Sequence, residues 1–330
     1  MAVISNTFQS PSAKGNREEL SDVVNRIDPE DTPIYSMISK GSTNSTNPEW
    51  ETDSLSAPAA NAQLEGDQYT FGATTPAVRM RNYTQIMRKD GILSKTQEAV
   101  SNAGKAEQLK YQKLKKGVEL RKDIEFAIVS NTASVGGATR FFGGLPSWIA
   151  TNVSRGATGA NGGYNTGTNL TVAETPGTQR AFTKALLDTT MQSGYSNGAN
   201  FKYLAVSPYV KSVFVTFMSD SNVAAFRYAA SNGKNNSIVA NADVYEGPFG
   251  KVAVVPNRVM ATSAAVARRA YLLDPEYLSF LWLRRIAEDK SVTINADANA
   301  FVLIGEGTMK VKNEKGLGVI ADVFGLTAAT

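Results

Sequence analysis

Along the first forty residues the apolar positions come in short groups. Leu20, Val23, Val24 and Ile27 recur at three- and four-residue spacing, which predicts one face of a short helix capped by Asn16, with Glu19 at the capping-box position. Asp28-Pro29 stops it. Thr32 then stands where a second helix would be capped, Pro33 at its first position, and Ile34, Tyr35, Met37 and Ile38 supply its apolar contact. Lys40 and Gly41 suit its end. Helices this short are not stable alone. Together with an extended, mobile start over residues 1–15 they form an arm that needs another surface to cover it.

Glu49–Leu55 and Val78–Arg88 have strand character, and the stretch between them is rich in Ala, Gly and Pro. This predicts a long β-hairpin with a flexible tip and no hydrophobic face of its own. The clearest periodic segment follows, a helix over Ser94–Asn131. Tyr111, Leu114 and Val118 share one side of it, with Lys110, Lys113 and Lys116 roughly opposite. After Gly117 the apolar side moves to Leu120, Ile124, Ala127 and Ile128. Either different partners cover the two halves, or the helix kinks at Gly117.

Residues 132–178 are rich in Gly, Thr and Asn and read as loops around one apolar island, "FFGGLPSWIATN". From 179 to about 265 the pattern is α/β. A helix ends at Gly194, "FKYLAVS" is a buried strand, and a helix opening at Ser207-Pro208 carries Val210, Val213, Phe214 and Phe217. A hairpin in "DVYEGPFGKVAVVP" turns at Gly247–Gly250. Short strands follow in "RAYLLD", "YLSFLWL" and "AFVLIG", then a strand pair in "TMKVKNEKGLGVIADVF" turning near Asn313–Gly316. There is no convincing internal repeat.

Composition narrows the chemistry. The chain has 330 residues, 42% hydrophobic and 19% charged, with no Cys and no His. Disulfides, thiolate nucleophiles, Cys-ligated zinc and the Ser-His-Asp arrangement are therefore excluded within it. No apolar run approaches the roughly 20 residues that span a bilayer, so no membrane partner is expected. The net charge is +4, unevenly spread. Lys14–Asp53 carries four Lys or Arg against nine Asp or Glu, and Arg79–Lys122 carries twelve against four. Solvated faces explain this, and so does an acidic arm meeting the basic segment of another copy.

Other motifs carry little. There is no P-loop pattern, and "GATGANGGYNTGTN" lacks the strand-to-helix setting of a dinucleotide turn. Asp28, Glu30 and Asp31 lack the spacing of a calcium loop. Nothing in the sequence brings Glu288, Asp289 and Asp297 together across a sugar site. Trp50, Trp148 and Trp282 are read as core or interface anchors rather than a stacking platform. No catalytic residue, metal ligand or cofactor site is expected.

The order of short motifs resembles the tailed-bacteriophage major capsid protein family with the Hong Kong 97-type fold. The motifs that carry the resemblance run in order from "AKGNREELSDVVNRIDPEDTPIYSMISK" through "EWETDSL", "RNYTQI", "FFGGLPSWIATN" and "VSPYVK". "DVYEGPFGKVAVVPNR" and "LLDPEYLSFLWLR" continue it to cover nearly the whole chain. The resemblance implies an α+β fold: an N-terminal arm (1–46), an extended β-hairpin loop (47–93), a peripheral domain with a long spine helix (94–179), an axial domain (180–265), and strands returning to the peripheral domain (266–330).

It also implies a structural protein, not an enzyme. Copies would assemble in the host cytoplasm into hexamers and pentamers of an icosahedral shell around double-stranded DNA, in a virion with portal, scaffold and decoration proteins. Asp31, Tyr35, Trp50, Glu51, Asp53, Arg79, Arg81 and Arg88 are the residues expected between subunits. Lys110, Lys113 and Lys116 are expected to face either DNA, contacted without sequence preference, or a neighbouring subunit. Some relatives crosslink through a Lys in the extended loop, but none lies between Lys40 and Lys89 here, so no such crosslink is expected. No long charged helical extension precedes the arm, so a scaffold is expected as a separate protein or one removed before Met1. The alternatives are the shell of a cellular nanocompartment on the same fold, and a basic nucleic-acid-binding protein. Particle size separates them.

Overall fold

The computed structural model describes residues 27–100, 107–216 and 243–323. The helix expected from Asn16 and the contribution of Phe217 lie outside them. A six-stranded sheet runs in the order β5 (Val153–Ser154), β14 (Leu317–Ile320), β11 (Ala270–Leu273), β8 (Tyr203–Val206), β10 (Gly250–Pro256) and β9 (Val244–Gly247). Its central strands are buried on both faces, as their unbroken apolar sequences require. Successive side chains of a strand point to opposite faces. Ala270 and Leu272 accordingly join one core with Phe182, Leu187 and Phe214, while Tyr271 and Leu273 join another with Leu120, Ile124 and Phe280.

Helices α4 (Lys184–Ser196) and α5 (Pro208–Thr216) supply apolar side chains to the first of these cores. Thr183 caps α4, its hydroxyl accepting the Leu186 N–H, which is why the helix starts past Arg180. The Gly247–Gly250 turn forms as the sequence predicts, with Gly250 at φ 130.

The second core lies against a four-stranded sheet of β1 (Ser39–Ser42), β12 (Leu278–Glu288), β13 (Ala298–Val311) and β4 (Gln85–Ser94), in that order. Helix α3 (Gln108–Val129) is joined to this sheet by Lys89–Asp123 and Lys113–Glu288 ion pairs, both 2.7 Å. The β4–β13 register puts Phe301 opposite Gly91, and its ring occupies the space a Cβ there would need. Two small ladders complete the described fold: β2 (Glu49–Thr52) with β3 (Val78–Arg81), and β6 (Gly163–Asn165) with β7 (Leu170–Val172). Among the described residues no helix is long and apolar enough to cross a membrane.

Several expectations are corrected. The helix over 94–131 is two pieces, α2 (Lys95–Ala99) and α3, because Val100 and Glu107 both take extended backbone. Helix α3 runs unbroken through Gly117. The return strand over Val78–Arg88 breaks at Asn82–Thr84, where two buried side chains bond other segments and β4 departs to pair with β13. The strand pair around Asn313–Gly316 is not a hairpin: β13 ends in one sheet and β14 begins in the other. β11 and β14 share a sheet with β8 and β10.

Candidate assembly surfaces

Helix α1 (Pro33–Met37) lies on α3 of its own chain, with Ile34 and Ile38 buried. Tyr35, expected between subunits, packs edge-to-face on Phe280 at 5.6 Å and lies under the Lys40 ammonium. Asp28, Pro29 and Glu30 line a cavity of about 210 Å³ with Lys115, Val118, Glu119 and Lys122. Asp31 lies 3.8 Å from Arg258. The acidic arm thus meets basic residues of its own chain. Sequence separation conceals the pairing, since these partners lie about ninety or more positions apart.

Trp50, also expected at an interface, is a core residue. Its indole N–H donates to the Val311 carbonyl at 2.8 Å, and its ring lies 5.7 Å from Trp148, which stacks on Tyr164. Glu51 and Asp53 are exposed on and after β2 and line a groove of about 750 Å³ with Met37, Glu276, Tyr277 and Lys312. Arg79 pairs with Glu49 across the ladder at 3.5 Å, an exposed contact of small energetic weight. Arg81 donates to the Asn169 carbonyl at 2.9 Å and so ties the β6–β7 loop to the hairpin base. Arg88 stands exposed on β4.

Register defines the surface around Arg88. Ile86, Arg88, Asp90 and Ile92 oppose Glu306, Ile304, Val302 and Ala300, so all eight share the face of the sheet turned away from α3. Ile86 and Ile92 are 48% and 67% exposed there. Glu306 is the buried centre of the polar part. Arg140 and Thr84 donate to one of its oxygens at 2.6 and 2.7 Å, and Arg284 to the other at 2.9 and 3.1 Å. Burial pushes this carboxyl up, but its donors outweigh that and hold it below the usual carboxylate range.

The three lysines of α3 do not form one free face. Lys113 engages Glu288 and lies over the Phe301 ring, and Lys116 pairs with Glu119 at 2.9 Å. Lys110 is the most solvent-facing, 3.9 Å from Glu107. Leu114 is 68% exposed, whereas Leu120, Ile124 and Ile128 are buried, so the chain covers the second half of α3 and leaves an apolar residue of the first half open. Glu288, Asp289 and Asp297 go to separate partners: Lys113, Ser291 and Lys95. Among the described residues, no group of three or more His, Cys, Asp or Glu could hold a metal ion.

The hairpin tip was visible in sequence only as a flexible stretch. Among the described residues its large apolar side chains are the most exposed after Ile27: Leu55 99%, Leu64 80%, Tyr69 89% and Phe71 96%. Glu65 and Asp67 lie among them, and there is no Lys or Arg between Lys40 and Arg79. Buried carboxylates also escaped the sequence reading, Glu125 and Glu174 among them. Glu125 sits inside the Leu120–Ile124–Ile128 stripe of α3, and an acid within a buried stripe was the available signal. Glu174, held by Arg155 and Arg269, gave no such signal.

The comparisons with known proteins fit this geometry. A family model described as SU10 major capsid protein matches residues 3–324. A major capsid protein of Escherichia phage Phieco32 is 36% identical over 127 residues, which span 38% of this chain and 36% of that relative's length. Among solved structures, the capsid of an empty GTA particle superposes with a TM-score of 0.63 at 12% identity, covering 96% of this chain and 98% of the other. A structure of Phage G gp27 major capsid proteins and gp26 decoration proteins does so with a TM-score of 0.53 at 11% identity, covering 98% and 100%. The α+β capsid fold expected from the motif order holds, and the chain belongs to the SU10 major capsid protein family.

Proposed function

We propose that this chain is a shell subunit that assembles with copies of itself into hexamers and pentamers, closing into an icosahedral capsid around double-stranded DNA. The observation that carries the reading is the hairpin tip. Four large apolar side chains standing almost wholly in water are costly for an isolated molecule, at about 25 cal/mol per Å² of apolar surface left unburied. A second copy offers a matching surface: the outer face of the four-stranded sheet, with Ile86, Ile92, Arg88 and Arg284. The acids at the tip complement those arginines. Contacts of this kind, made head to tail, close into rings.

DNA is enclosed rather than read. Contact with it is sequence-independent and electrostatic, with Lys110 the α3 lysine most open to it. Location in the virion, and portal, scaffold and decoration partners, follow from the same role. The division into arm, extended loop, peripheral and axial domains belongs to this proposal too.

Proteolysis tests it. Chymotrypsin should cut the isolated subunit at Leu55, Leu64, Tyr69 or Phe71, and the same bonds should be protected in megadalton particles. Trypsin has no site between Lys40 and Arg79 and serves as the control. Equal chymotryptic cleavage of subunit and particle would overturn the tip contact. A chain that stays a small monomer at all concentrations would overturn the shell.

A further inference from the structure

The N-terminus of α1 lacks the cap its sequence promises. Thr32 occupies the cap position, yet its side chain accepts no backbone N–H. The first N–H groups of a helix have no acceptor within the helix. Here they are taken by a side chain 91 and 90 positions away: Glu125 Oε1 accepts from Ile34 at 3.0 Å, and Oε2 from Tyr35 at 2.7 Å. Asn257 Nδ2 donates to Oε1 at 2.6 Å and holds the carboxylate in place. Glu125 is fully buried. A helix of five residues has no stability of its own, so its order depends on this contact and on the burial of Ile34 and Ile38.

The flanks of the segment are built differently. Residues 27–31 are exposed and carry no regular structure. On the other side Thr43 N–H still donates to the Trp282 carbonyl at 2.9 Å, Ser45 and Asn47 donate their N–H groups to the Thr43 and Ser45 hydroxyls, and the Thr46 carbonyl accepts the Thr84 N–H at 2.9 Å, which anchors the turn to the body where the segment ends.

We propose that residues 32–43 form a strap that opens and closes as one unit, pivoting at the turn 44–47 that Thr46 holds to the body, and that Glu125 is the catch that fastens it. Glu125 is a positioning residue: it orders the arm and touches nothing outside the chain in this role. Opening would separate β1 from β12 and uncover Leu120, Ile124 and Phe280, while the six-stranded sheet stays intact.

Hydrogen exchange of the full-length subunit tests this site by site, because the Ile34 and Tyr35 amides have no acceptor but Glu125. In Glu125→Gln the side-chain NH2 meets donors and one acceptor is lost. Exchange at Ile34 and Tyr35 should accelerate about tenfold or more, as for a lost charge-assisted hydrogen bond. Exchange at Tyr271–Leu273 should be unchanged. Unchanged protection of Ile34 and Tyr35 in a folded Glu125→Gln protein overturns the catch. Should that variant not fold, the wild type decides: the amides of Ile34–Ser42 must exchange through a common opening, faster than those of Tyr271–Leu273. Exchange of both sets at the same rate, through global unfolding alone, overturns the strap.

Discussion

Asn82 bridges the hairpin base to the long strand that runs behind it: its side-chain amide N–H donates to the Met309 carbonyl at 2.6 Å. Its Oδ1 accepts the Gly143 N–H at 2.8 Å, and the residue is wholly buried. One side chain thus satisfies a carbonyl of β13 beyond its pairing with β4 and an N–H of the loop at Gly143.

Asn82→Ala should therefore destabilise the subunit by about 2–5 kcal/mol, since each stranded buried group costs about 1–3 kcal/mol. Chemical denaturation, read as a lower midpoint at unchanged slope, measures it. Asn82→Asp keeps the acceptor for Gly143 and loses the donor to Met309, so it should still destabilise. A variant indistinguishable from wild type would contradict the bridging role.

The acid limb of stability should depend on Glu306. Its donors hold its carboxyl below the usual range in the folded chain. The folded state then binds a proton less readily than the unfolded one. The stability this contributes is complete above the unfolded-state value, about 4.3 for Glu, and is lost as pH falls through the lowered folded value. Glu306→Gln should lower stability at neutral pH and flatten its decline in acid. Denaturation midpoints of both proteins across that range check this, and parallel curves would exclude Glu306 as a source. Glu125 has the opposite sign: burial raises it despite the bonds from Tyr35, Ile34 and Asn257. Its contribution grows as pH falls below the raised value, so it does not drive acid unfolding.

Charge reversal can separate folding from assembly. Arg81 anchors the β6–β7 loop within its own chain, whereas Arg88 stands on the outer sheet face. Arg88→Glu should leave the subunit's melting temperature within a few degrees of wild type while reducing particle yield, measured by light scattering. Arg81→Glu should lower the melting temperature itself. Normal particles from Arg88→Glu at both low and high salt would remove electrostatics from the proposed contact.

What the sequence showed depended on the range of the interaction. The Gly247–Gly250 turn and the buried strand at 203–206 were legible because turn chemistry and a short unbroken apolar run are local. The capsid fold was legible in the order of short motifs. Strand partners were not. Leu317–Ile320 follows a turn after Val311, and only pairing with Ala270–Leu273 reveals that it belongs to another sheet. The neighbours of Tyr35 and Trp50 within the chain were hidden too, since Phe280 and Trp148 reach them from afar. Glu125 was hidden for the same reason, since its partners belong to the arm.

The sheet that separates the two cores also limits how the subunit can change shape. Tyr271 and Leu272 are neighbours on one strand, yet each is embedded in a different core, so neither core can loosen without disturbing the backbone that carries the other. The centre must melt in a single cooperative step. Bending between neighbours in a curved lattice is then left to the parts attached at its margins: the hairpin, the strap and the first turns of α3.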